Sequence, residues 1–250
     1  MDDMPDLLRD LPPRRRLYLA ALLTAQEARL KVAATRAVAL DVLADLAAAG
    51  LIEVPWPALR WTSPPSIQLP LEGLAWRPSS ALARTTRPLQ ATTAVLRGVF
   101  LEPSAIELGV SVWSKLVLAE AESYFAYQLG KHNFDVGWAA DIHYVSVGLR
   151  TALSAAQWRY CSWVATRQGA STAAQLGSAE PDRVREAIFN DLGRRATAVA
   201  TADWAHTAYA PKDPLPDNAL ARLFASDATN LHASFWSTVP SSAALTGDDP

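Results

Sequence analysis

Apolar residues recur at a helical period through most of the chain, and the clearest run lies between Ile142 and Gly169. There Val145, Leu149, Ala152, Ala156, Tyr160 and Trp163 fall within about a right angle of one another on a 3.6-residue period. That stripe predicts one long helix, broad enough on its apolar side to hold a bundle. Nearer the start, Leu19, Leu22 and Leu23 predict a helix from Arg14 to about Thr24, and Gln26 to Ala34 is a second candidate. Val38, Val42, Leu43 and Leu46 predict a third, with Thr35 as its N-cap and Gly50 as its stop. The following LIEVPW is a short β-type run. Seven prolines between Pro55 and Pro88, with Trp56, Trp61 and Trp76 among them, then interrupt any helical period. Residues 59–103 therefore read as a connector or small irregular β region. Its candidate strands are Ser66 to Leu69 and Thr92 to Phe100.

From Ser104 onward helical spacing returns. Ser104 and Glu107 form a capping-box pattern for a helix to Gly130, and the polar KHNFD separates it from the run at Ile142. Ser178 and Pro181 signal another start, for a helix continuing to Tyr209. A last helix is predicted from Asp217 or Asn218 through Trp236, stopped by Pro240. Four long segments with polar breaks point to a four-helix bundle-like domain over residues 104–240, with tryptophans in each segment as core. The expected fold is mainly α. It comprises a lead-in (1–13), a three-helix module (14–58), the connector, the bundle and a frayed tail (241–250).

Three helices, then Gly50-Leu51-Ile52 and a strand, resemble the pattern of winged helix-turn-helix domains over about residues 14–56. The resemblance implies that the helix carrying Arg36, Val38 and Asp41 faces the DNA groove. That surface also bears Asp41 and Asp45, which would repel phosphate.

Charge narrows the choice only slightly. Residues 1–100 hold 12 Lys/Arg against 9 Asp/Glu, and the remainder 11 against 16, so the bundle half is mildly acidic. A single cysteine, Cys161, rules out an internal disulfide and fits a reducing cytoplasm. The acidic start MDDMPDLLRD does not resemble a secretory signal, and no stretch approaches the roughly 20 apolar residues of a membrane span. A composition rich in Ala and Arg and poor in Lys suggests a GC-rich bacterial source.

Candidate chemistry centres on arginines and histidines. Arg159, Trp163 and Arg167 follow at successive four-residue spacings, which would stack guanidinium planes on an indole beside a ligand or partner. The competing role is intramolecular, with the arginines as ion-pair anchors for neighbouring helices. Arg14, Arg15 and Arg16 form a second basic cluster, and Arg36 a lone one. His132 with Asp135, Asp141 with His143, and Asp203 with His206 are the acid/His neighbours. A metal site of His132, Asp203 and His206 with Glu107, Glu120 or Glu122 is the alternative they offer. No Glu-x-x-His, His-Glu-x-x-His, Gly-x-Ser-x-Gly or phosphate-cradling Gly-rich loop is present. Cys161 sits mid-helix, where a thiol behaves as a small hydrophobe. The expected function is a non-enzymatic regulator, adaptor or complex subunit, with no catalytic residue and no cofactor. Its expected partner is a protein or a second copy of the chain, with nucleic acid the other class and no membrane. The runner-up is a metal-dependent hydrolase or oxidase with its site inside the bundle.

Overall fold

Pro13 opens the helix that runs to Ala28 with a ring that needs no amide partner, since the first turn of a helix leaves its N–H groups unbonded. The computed structural model describes residues 8, 10–54, 76–84, 88–176, 180–201 and 209–247. Along it run α1 (Pro13–Ala28), α2 (Arg36–Ala48), β1 (Ile52–Glu53), β2 (Arg77–Pro78), α3 (Ser80–Ala83) and α4 (Pro88–Leu96). They are followed by α5 (Ile106–Lys131), α6 (Ile142–Val147), α7 (Ala155–Leu176), α8 (Pro181–Thr201), α9 (Ala219–Leu223), α10 (Ser234–Ser237) and α11 (Ser242–Thr246). The protein is mainly helical. No helix among the described residues is long and apolar enough to cross a membrane. Contacts group the chain into two compact units, Met1–Val112 with Leu215–His232, and Trp113–Pro214 with Ala233–Pro250.

In the first unit, α1 absorbs the helix expected at Arg14 and continues to Ala28. The separate helix expected over Gln26 to Ala34 does not form. Arg29 turns left-handed (φ 54°) and closes α1 with its N–H on the Ala25 carbonyl. The next residues are then claimed by a distant segment: Ala219 and Leu220 donate to the carbonyls of Lys31 and Val32 at 2.8 and 2.9 Å. Thr35 caps α2 as expected, its hydroxyl accepting from Val38 N–H, and Gly50 (φ 68°) follows the helix's last turn. β1 pairs antiparallel with β2, Ile52 opposite Pro78 and Glu53 opposite Arg77.

The strand expected at Thr92 to Phe100 is helix as far as Leu96. Thr92 and Thr93 return their hydroxyls to the carbonyls of Pro88 and Leu89, which accommodates β-branched residues inside a helix. The other candidate strand, Ser66 to Leu69, lies outside the described residues, as do Trp56, Trp61 and Trp204. Leu17, Leu19, Leu46, Leu51, Leu82, Phe100 and Phe224 are fully buried in this unit, with the Phe100 and Phe224 rings 5.5 Å apart. Burying each such side chain contributes about 1.5–3 kcal/mol.

The last helix expected from Asn218 through Trp236 is divided. Asn218 caps it, accepting from Ala221 N–H at 3.1 Å, but after α9 the turns widen into a π-helix over Phe224–Ala228. Thr229 then leaves the helix in an extended conformation, its hydroxyl bonded to the Phe224 carbonyl at 2.7 Å. The carbonyls of Asp227 and Ala228 accept instead from Gly98 and Phe100. His232 adopts φ 45° before α10 begins.

In the second unit the run from Ile142 to Gly169 is two helices, not one. α6 ends at Val147, and Gly148 to Ser154 form a break before α7. Ser154 and Gln157 make a reciprocal capping box: Ser154 Oγ accepts from Gln157 N–H at 3.2 Å, and Gln157 Oε1 from Ser154 N–H at 2.8 Å. Those bonds satisfy amides that a continuous helix would have paired with carbonyls. α7 packs along α8 with its glycine inward: a Cβ on Gly169 would lie 2.6 Å from Ile188 Cδ1, so only glycine allows this approach. Phe125 of α5 meets Phe189 of α8 edge-on, ring centroids 5.8 Å apart.

Candidate functional site

The capping box at Ser154 sets the phase of α7, and with it the direction of three side chains one turn apart. Arg159 lays its guanidinium over two rings, 4.3 Å from the centroid of Tyr124 on α5 and 5.8 Å from that of Trp236 on α10. Arg167 lies 4.8 Å over the ring of Trp163. Trp163 in turn meets Tyr209 at 5.8 Å, and Tyr209 meets Tyr160 edge-on at 5.1 Å. Of the stack expected from Arg159, Trp163 and Arg167, only Arg167 lies over the indole; Arg159 lies over Tyr124 and Trp236 instead. Each cation over a ring contributes about 0.5–2 kcal/mol, more as water is excluded.

Burial raises the Tyr209 phenol above its usual range, and neighbouring Tyr160 and Tyr124 push the same way against the charge of Arg167. The phenol is therefore a neutral donor at ordinary pH. On α8, Asp191 is 8% exposed and takes bonds from Arg194 (2.5 Å) and Arg195 (2.6 Å). Burial alone would raise its carboxyl, yet the two arginines hold it below the usual carboxylate value. Burial works against the Arg195 cation, but Asp191 and Tyr160 outweigh it, and its charge acts on Cys161 of α7. Burial pushes that thiol up to about 12, too high for a nucleophile near neutral pH. The helix-interior cysteine is a packing residue.

The basic cluster on α1 is tied inward. Arg14 and Arg15 both reach Asp45 of α2 at 3.2 Å, and Arg16 donates to the carbonyls of Leu11 (2.7 Å) and Val95 (3.3 Å). Arg36 is exposed at the start of α2.

The histidine neighbours separate. His132 stacks on Phe134 at 6.0 Å, and Asp135 caps the next turn through Gly137 N–H. Asp141 pairs with Arg185 rather than with His143, whose Nε2 lies 2.9 Å from Glu122. Asp203 and His206 lie outside the described residues. Among the described residues no three His, Cys, Asp or Glu side chains are grouped to hold a metal. Sequence reasoning missed Tyr124, Tyr209, Asp191 and the Glu122–His143 pair. Only Asp191 left a signal, through its i+3 and i+4 spacing to Arg194 and Arg195.

The chain matches no family model, no curated protein and no solved structure. The arrangement itself is what speaks for function. It offers cations backed by aromatic faces beside the Tyr209 phenol, groups that bind by stacking and hydrogen bonding.

Proposed function

We propose that the protein is a non-enzymatic binding protein, a regulator, adaptor or subunit of a larger assembly, that engages a protein partner through its helical second unit. The observation carrying this reading is Arg167, exposed and stacked on half-buried Trp163 with Tyr209 behind it. Arg, Trp and Tyr most often dominate interface energetics, because a planar cation on a ring needs little further desolvation while keeping its in-plane donors. Exposed Tyr127, Tyr144 and Val147 add apolar surface to the same unit.

Within this reading α7, α8, α10 and the part of α5 from Trp113 onward serve as a bundle-like scaffold within the second unit. Residues 14–58 serve as a winged-helix-like module, a role supported by the antiparallel β1–β2 ribbon that follows α2. Pairing of Arg14 and Arg15 with Asp45 reduces the positive charge that module can offer to phosphate, which favours protein over nucleic acid as the partner. The proposed setting is the cytoplasm.

Affinity capture from the native host with wild-type and Arg167→Ala baits, followed by size-exclusion chromatography with light scattering, tests the reading. A discrete assembly held by the wild type and lost by the variant supports it. A wild-type chain that stays monomeric and retains nothing the variant does not would defeat it.

A further inference from the structure

The interruption between α6 and α7 opens a cleft of about 210 Å³ in the second unit. Its apolar walls are Val117 and Leu118 of α5, Leu149 and Leu153 of the break, Trp158 of α7, and Pro240. The hydroxyl-bearing residues Ser114, Ser146 and Thr151 complete the lining with Ala152, and no lining residue carries a charge. An ionic ligand entering it would lose hydration without gaining a counter-charge. Ser146 Oγ already donates to the His143 carbonyl at 2.7 Å, and Thr151 Oγ1 to that of Ala200 at 3.4 Å. At Ser146 and Thr151 the remaining lone pairs can only accept, so a donor on the ligand is matched at these two positions. A cavity of about 150 Å³ accommodates benzene, which makes this one large enough for a single substituted ring.

We infer that the cleft is a binding site for a neutral, monocyclic small molecule carrying a hydroxyl or N–H donor. None of its lining residues belongs to the Arg167–Trp163 surface, so the site stands or falls separately from the proposed partner. Calorimetric titration of the full chain with phenol, toluene and benzoate tests it. Phenol binds saturably, toluene binds roughly threefold to tenfold more weakly for want of the hydrogen bond, and benzoate gives no saturable heat. Ala152→Trp, at an exposed lining position, fills the mouth and weakens phenol by about tenfold or more. Thr151→Val narrows the phenol-to-toluene ratio while leaving toluene unchanged. No saturable phenol binding, benzoate binding as tight as phenol, or an Ala152→Trp chain of native circular dichroism with undiminished phenol affinity would each overturn the inference. Should Ala152→Trp lose its native spectrum, a phenol preference unaltered by Thr151→Val overturns it.

Discussion

At the start of α1 the guanidinium groups of Arg14 and Arg15 end on one carboxylate, Asp45, whereas that of exposed Arg167 on α7 lies over the face of Trp163. A carboxylate engages both the charge of an arginine and its donors, so the first cluster staples α1 to α2. A ring face meets the charge alone and leaves the in-plane N–H groups directed elsewhere. Arginines therefore serve different ends, according to what the facing element offers. Arg195 stands between the two cases, bonded to buried Asp191 and close to Tyr160.

Removing the carboxylate from the most buried of these pairs has the largest expected effect. Asp191→Ala leaves Arg195 half-buried without its anion and lowers unfolding stability by about 3 kcal/mol in urea titration. The pH dependence follows from the same pair. The Asp191 carboxyl titrates in the folded chain below its ordinary value of 3.8, so its contribution is complete above that value. It is lost as pH falls through the lower folded value, and Asp191→Asn flattens that part of an acid unfolding curve. Gly169→Ala comes next, at about 2 kcal/mol, because the added methyl meets Ile188 where α7 and α8 are closest. Asp45→Ala releases two partly exposed arginines and costs about 1 kcal/mol, an effect that shrinks with added salt. Arg167→Ala changes stability by less than about 0.5 kcal/mol, as expected of an exposed position, but removes partner capture. If Arg167→Ala instead destabilised as strongly as Asp191→Ala, the ring-stacked arginines would be staples too, and the contrast would collapse.

Local signals were readable from the sequence wherever one side chain decides the outcome. Thr35, Asn218 and Pro181 each open a helix where their side-chain chemistry predicts it. The break before α7 carried such a signal as well, Ser154-Ala-Ala-Gln157, but the apolar stripe from Val145 to Trp163 runs across it without a change of period. Leu149 and Ala152 continue that stripe and yet line a cleft. Periodicity reports which residues share a face only while the helix is unbroken. Where a distant segment decides, nothing local predicts the result: Ala219 and Leu220 hold the residues after Arg29, and Gly98 and Phe100 draw carbonyls from the π-helix. The candidate site divides the same way. The four-residue spacing of Arg159, Trp163 and Arg167 was visible in the sequence, while Tyr124, Tyr209 and Trp236 reach α7 from other elements.

The central claim is that the ring-stacked arginine surface presents itself to a protein partner. Its most direct test is light scattering on the assembly retained from the native host, compared between wild-type and Arg167→Ala chains of equal thermal stability. The account predicts a discrete assembly of greater mass for the wild type and a lone chain for the variant. Identical masses for the two, whether both assembled or both single, would contradict it.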